Sequence, residues 1–213
     1  MKDTYRHKGL RRKLIEGIRE KGIRDEAVLE AMLQLPRHFF MDKAFEELSY
    51  EDKAFPIGND QTISQPLTVA IQTSLLEAKP REKILEVGTG SGYQAALLGM
   101  LGARVYTLER HRPLHLKAQQ LLQQLNLGNI RCFHRDGFKG LPEFAPFDKI
   151  IVTAGAEEVP EKLSRQLKVG GKMVIPVGKG VQEMLVVTRT GEESFDQVKK
   201  GSFRFVPFVK GLK

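Results

Sequence analysis

The sequence predicts an α/β fold, a mostly parallel sheet with helices on both faces, on three observations. Short apolar runs recur at strand length, at Lys83 to Val87, Arg104 to Leu108, Ile130 to His134, Phe147 to Thr153 and Lys168 to Val177. Segments of helical periodicity separate the first of them, and strands that alternate with helices pair in parallel with helices on both sides. A turn holding Gly88, Gly90 and Gly92 follows the first run directly and opens a helix.

Taken from the start, Leu10, Leu14, Ile15 and Ile18 recur at helical spacing, and Asp25 suits the cap of a second helix carrying Val28, Leu29, Met32 and Leu33. Pro36 stops that helix. Phe39, Phe40 and Phe45 supply a large apolar area that packs this small helical region onto the main sheet. The next segment, Pro56 to Pro66 (PIGNDQTISQP), is bounded by prolines and rich in polar residues, which predicts an ordered loop without regular structure. Pro66 suits a first helical position, with Leu67, Ala70, Ile71, Ser74 and Leu75 on one face. Thr62, Ser64 and Gln65 then stand at that helix's entrance. Ser64 is there either as a helix-entry hydroxyl or as a hydrogen-bond donor to a ligand.

Ile84, Leu85 and Val87 form a run suited to a strand buried on both faces. Three glycines in the next five residues bring backbone close to a bound molecule, since no Cβ stands in the way. The following helix runs from Tyr93 to Leu101 and ends at Gly102; the next strand closes on Glu109. Glu109 lies about 20 residues beyond Gly88, the offset at which an acidic side chain meets ribose hydroxyls in a βαβ unit. An adenosine-type ligand is implied. A dinucleotide fingerprint needs its last glycine one position later, where Tyr93 stands. A cofactor without phosphates, such as S-adenosylmethionine, fits the loop better, with Glu86 placed to receive its ammonium group.

Beyond Glu109, a helix from Pro113 to Leu125 leads through Gly128 to the strand at Ile130, followed by Asp136-Gly137. Polar residues at strand carboxyl ends face the crevice where open α/β sheets bind ligands, so Asp136 either meets an adenine edge or makes an Asx-turn with Gly137. Ala154-Gly155-Ala156 leaves room beside the fourth strand. Met184 to Thr190 with Phe203 to Phe208 predicts a β-rich end. The chain reads as a single domain over 1–213, with a helical region and loop at 1–78, a cofactor core at 79–178 and terminal strands at 179–213.

No apolar run approaches the ~20 residues that span a bilayer, and the charged start lacks the apolar stretch of a secretory signal. A cytoplasmic protein with no membrane partner is expected. A single cysteine, Cys132, excludes an internal disulfide, and its apolar surroundings predict an inert thiol. No metal is expected. The net charge of +8 gathers at the ends, in Arg6, Lys8, Arg11, Arg12 and Lys13 and in Lys199, Lys200, Arg204, Lys210 and Lys213. Solvated termini explain that surplus more simply than a nucleic-acid surface.

With these pieces placed, the sequence resembles the protein-L-isoaspartate O-methyltransferases over nearly its whole length. AFPIGNDQTISQP is similar to that family's substrate loop, ILEVGTGSGYQAALL to its cofactor loop and RDGFKG to its adenine-side turn. FDKIIVTAGAEEVP, LKVGGKMVIPVG and RFVPFVKG also match. The resemblance implies a Rossmann-like, S-adenosylmethionine-dependent fold and methyl transfer to the free carboxylate of L-isoaspartyl residues in damaged proteins and peptides, a repair reaction; a monomer is expected. It implies Ser64 as the active-site serine. Glu86, Gly88, Thr89, Gly90, Gly92, Tyr93, Glu109, Arg110, Asp136 and Gly137 become cofactor contacts, and Thr62, Ile63, Ser64, Val206 and Pro207 substrate contacts. Arg135 departs from the family, which often has glycine there. Competing readings keep the cofactor and change the acceptor to RNA or a small molecule, or keep the fold as a noncatalytic nucleic-acid-binding module. Base methyltransferases often carry an Asn/Asp-Pro-Pro-aromatic motif where this chain has Thr153-Ala154-Gly155-Ala156.

Overall fold

In the computed structural model, which describes residues 2–213, two helices come first, α1 (Tyr5–Glu20) and α2 (Glu26–Gln34). Asp25 caps α2 by accepting from the Val28 amide, and the helix stops before Pro36. The stripe of α1 that is buried comprises His7, Arg11, Ile15 and Ile18, while Leu10 and Leu14 are only half-buried. The polar members are inside because they are satisfied there. Arg11 donates to both carboxylate oxygens of Asp3 and to the Tyr50 hydroxyl at 2.8 to 3.0 Å. His38 stacks near His7 and shares a 2.7 Å hydrogen bond with the same hydroxyl. Phe40 anchors this region on the sheet layer, meeting Tyr93 edge-on at 5.3 Å, and Phe45 packs on Phe55.

The segment expected as a loop forms a hairpin instead, β1 (Phe55–Gly58) and β2 (Gln61–Ile63). Its turn residues, Asn59 and Asp60, both have positive φ, 54° and 57°. Successive positive φ values match the twist of a two-residue hairpin, and Asn and Asp tolerate them. Pro56 sits in a ribbon of only two strands, where a missing N–H leaves few bonds unmade. Helix α3 (Pro66–Leu76) starts at Pro66 as expected.

Seven strands make the main sheet: β3 (Lys83–Val87), β4 (Arg104–Glu109), β5 (Ile130–His134), β6 (Phe147–Val152), β7 (Leu167–Val177), β8 (Gln182–Arg189) and β9 (Phe195–Phe203). Their order is β5-β4-β3-β6-β7-β8-β9. The first five are parallel, and β8 and β9 extend the sheet antiparallel. Helices α4 (Tyr93–Met100), α5 (Arg112–Gln124) and α6 (Glu161–Ser164) make the connections. Ile84, Val105, Ile151, Val174 and Val186 share a core with residues of α1 to α4. Leu85, Val87, Ile150, Val152, Met173 and Ile175 pack in a second core with Leu163 of α6 and the rings of Tyr106, Phe133 and Phe144. The chain leaves β3 toward β4 on one side and meets β6 on the other. That reversal makes the carboxyl ends of β3 and β6 a topological switch point, where open α/β sheets place ligands.

The expected strand at Phe203 to Phe208 is corrected as well. The partner of β8 is β9, whose interior residues are all exposed, so no apolar alternation marks it in the sequence. Residues 204–208 leave the sheet as a strap across the carboxyl ends. Gly155 donates to the Val206 carbonyl and Phe208 to the Gly155 carbonyl, each at 2.8 Å. The terminus then reaches Arg110, whose carbonyl accepts from the Lys213 amide at 2.9 Å. Cys132 is half-buried, and burial pushes its thiol up to about 12, so it is un-ionised at neutral pH. No described helix is long and apolar enough to cross a membrane.

Inside β3, Glu86 is fully buried and neither carboxyl oxygen has a hydrogen-bond partner of good geometry. Burial pushes it up to about 8, against the pull of the neighbouring Thr107 hydroxyl and with a smaller push from Glu109. Its pKa is raised in the folded state, so its contribution is fully present below the unfolded value near 4.5 and is lost as pH rises toward 8. Urea unfolding between pH 5 and 8 should therefore show wild type losing stability relative to Glu86→Gln by roughly 1 kcal/mol per pH unit. Parallel pH profiles would mean that the carboxyl is paired or solvated.

Candidate active site

At the switch point lies a cleft of about 860 Å³, its open mouth included. Its floor is the glycine loop. Gly88 has φ 101°, and a Cβ there would run into the Thr153 hydroxyl, which donates to the carbonyls of Val87 and Gly88 at 3.1 and 2.7 Å. The loop thus lies directly against the end of β6. Thr89 anchors it from below, its hydroxyl 2.5 Å from that of Thr107. The Glu109 carboxylate, 4% exposed, accepts from the Gly90 amide and from the His111 amide, both at 2.8 Å. A strand end, a glycine loop and the start of α5 are clamped by one side chain. Glu109 also lines the cleft, and each of its oxygens keeps a lone pair beyond these two bonds.

The structure brings Gly88, Thr89, Gly90, Tyr93, Glu109, Arg110 and Gly137 together on this wall, with Thr62, Ile63, Ser64, Val206 and Pro207 opposite. Three expected contacts are not on it. Glu86 is fully buried within β3, beside Thr107 in the sheet register. Gly92 is the N-cap of α4 at φ 88°, a backbone conformation that favours glycine, and it faces Ala118 and Leu122 of α5. Asp136 accepts from the Phe138 amide at 3.0 Å, the Asx-turn reading, while its neighbour Gly137 supplies the wall. Tyr93 is 3% exposed, and burial pushes its hydroxyl up to about 12. Arg110 is tied to the C-terminal strap through the Gly211 carbonyl at 2.9 Å.

Ser64 follows β2 and borders a second, outer cleft of about 1000 Å³ measured in the same way. Thr62, Ser64, Thr153 and Val206 line both clefts and form the seam between them. The helix-entry role is not Ser64's. Gln65 is the N-cap residue, and Asp52 accepts from the Leu67 amide at 2.9 Å. Among the described residues the Ser64 hydroxyl has no partner that would compete with a ligand.

Sequence reasoning missed His111, Thr153 and Phe208. His111 and Thr153 stand just past the carboxyl ends of β4 and β6, so the strand-end rule could have found them. His111 is 5% exposed, its Nε2 has no partner, and burial lowers its pKa, leaving the ring neutral at pH 7. Phe208 stacks on Phe138 at 4.0 Å and crowds Gly137. Nothing local announces it, because the strap returns from the far end of the chain.

Known proteins are similar to this chain over nearly its whole length. The Christiangramia forsetii protein-L-isoaspartate O-methyltransferase is 56% identical over 210 residues, 99% of either chain. That of Flavobacterium johnsoniae is 53% identical over the same share of both. A crystal structure of the Plasmodium falciparum protein-L-isoaspartate O-methyltransferase in complex with S-adenosyl-L-homocysteine matches with a TM-score of 0.83 at 26% identity, over 96% of this chain and 99% of that one. The family model described as protein-L-isoaspartate(D-aspartate) O-methyltransferase matches residues 9–213, and the chain belongs to that family.

Proposed function

We propose that this protein transfers the methyl group of S-adenosylmethionine to the free carboxylate of L-isoaspartyl residues in damaged proteins and peptides, the opening step of their repair. The observation that carries this reading is the seam: the cleft floored by the glycine loop and an outer cleft meet at the uncommitted hydroxyl of Ser64. The cofactor, when bound, supplies an electrophilic methyl group on a positively charged sulfonium. Its fit rests on the cleft itself. Glycine backbone forms the floor, Glu109 presents acceptors where ribose hydroxyls would lie, and the two arginines on the wall are engaged elsewhere, Arg110 with the Gly211 carbonyl and Arg135 with Glu143.

The residues present suffice for this reaction. A carboxylate that titrates in water at a pH of about 4 is already ionised at neutral pH, so no general base is needed. Ser64 donates to one carboxylate oxygen and leaves the other free to attack, which lowers the barrier by alignment. The Val206 amide and Pro207 carbonyl take no part in the fold's own hydrogen bonds, so this stretch of the strap can hold substrate backbone at the seam. His111, neutral at pH 7, adds no positive charge against a sulfonium. Attack by an anion on a cation cancels charge, and the enclosing walls favour that by excluding water.

The deciding experiment offers labelled S-adenosylmethionine to two synthetic peptides that differ only in L-isoaspartyl or L-aspartyl at one position. A base-labile ester on the isoaspartyl peptide alone is expected; esters on neither peptide, with the cofactor bound, would reject the acceptor. Ser64→Ala should lower kcat roughly 10- to 100-fold while S-adenosylhomocysteine affinity stays within about twofold of wild type. Glu109→Ala should weaken that affinity about tenfold or more in calorimetry, and wild-type affinity would defeat the ribose assignment.

A further inference from the structure

The outer cleft is walled by apolar and hydroxyl side chains and the amide of Gln65, and among the described residues Arg204 is the one charged residue that lines it. No carboxylate does. Arg204 is exposed and, among the described residues, forms no ion pair. The carboxylates near it in sequence register or along the rim are already engaged. Glu183, paired with Ser202 across β8 and β9, accepts from the Ser202 hydroxyl. Asp52 accepts from the Leu67 amide and pairs with Lys21. Glu51 pairs with Lys53. Lys199 and Lys200, exposed on the same strand β9, likewise form no ion pair among the described residues, so three cations stand on this stretch against the single carboxylate of Asp196.

The reacting carboxylate is a poor partner for this guanidinium. It carries one negative charge, which disappears as the ester forms, so an ion pair to it would stabilise the starting state more than the transition state and slow the reaction. A second carboxylate, on a residue beside the isoaspartyl site, gains attraction with no such penalty. We propose that Arg204 makes this enzyme select isoaspartyl sites flanked by aspartate or glutamate. The inference rests on the isoaspartyl methyltransferase reading above and adds the charge of the surrounding segment as a determinant of substrate choice.

The test uses three L-isoaspartyl peptides, identical except that the residues two positions to either side are Glu, Gln or Lys. The ratio of kcat/KM between peptides is measured for wild type, Arg204→Gln and Arg204→Glu, so that any general loss of activity in a variant cancels. Wild type should prefer the Glu peptide over the Gln peptide about two- to fivefold, through KM, with the Lys peptide below both. The ratio should approach one in Arg204→Gln, fall below one in Arg204→Glu, and shrink in about 0.5 M salt. Equal kcat/KM values in wild type, or a wild-type ratio kept in both variants, would overturn the proposal. Failure to methylate even the Gln peptide would instead reject the activity on which it rests.

Discussion

The Glu109 carboxylate is the interaction on which the rest of the site depends. By accepting from the amides of Gly90 and His111 it joins the end of β4, the glycine loop and the entry to α5. A charged acceptor makes each bond stronger than a neutral one would, and both donors are backbone groups with no competing partner. The loop can therefore keep a conformation that glycine otherwise adopts at an entropic disadvantage. The same residue lines the cleft, so the group that shapes the floor is also part of its wall.

A second constraint comes from the far end of the chain. The strap after β9 bonds to Gly155 on both sides and ends against Arg110 and Arg112. It closes the cleft opposite the glycine loop, places Val206 at the seam with Ser64, and lays Phe208 on Phe138. The hairpin of β1 and β2 supplies the other lip, carrying Thr62 and Ile63 directly ahead of Ser64. The lining of the clefts thus comes largely from segments held by the sheet, and the two clefts share Thr62, Ser64, Thr153 and Val206, which the hairpin, the strap and the end of β6 supply.

Several buried polar groups lie behind these walls. Arg37 is 1% exposed; one nitrogen donates to the Lys53 carbonyl at 3.3 Å, and the guanidinium lies 5.4 Å from the centre of the Tyr93 ring. Burial lowers it to about 10, so it stays charged at neutral pH, stabilised by the ring face. Asp3, His7 and His38 come within 4.8 Å of one another, close enough for a metal. Their atoms are taken up by Arg11, Thr4 and Tyr50, which makes the group a hydrogen-bonded network joining α1 to the segment after α2.

The alternation of strands and helices, the glycine loop, Glu109 and the start of α3 at Pro66 could all be read from the chain, because each is a local pattern whose periodicity or backbone demand lies within a few residues. The family motifs likewise marked Ser64 and the Val206-Pro207 stretch. Tertiary structure decided what depends on distant partners. The Asn59-Asp60 hairpin, the polar edge strand β9 and the buried Arg11 carry no apolar alternation, and Arg11 is satisfied only by Asp3 and Tyr50 meeting it in space. Glu86 shows the limit most plainly: its place before the glycines suggested a ligand contact, and in the structure its side chain is fully buried beside Thr107, outside the lining of the cleft. Sequence sets which residues follow one another; sheet register and the return of the strap decide which of them share a wall.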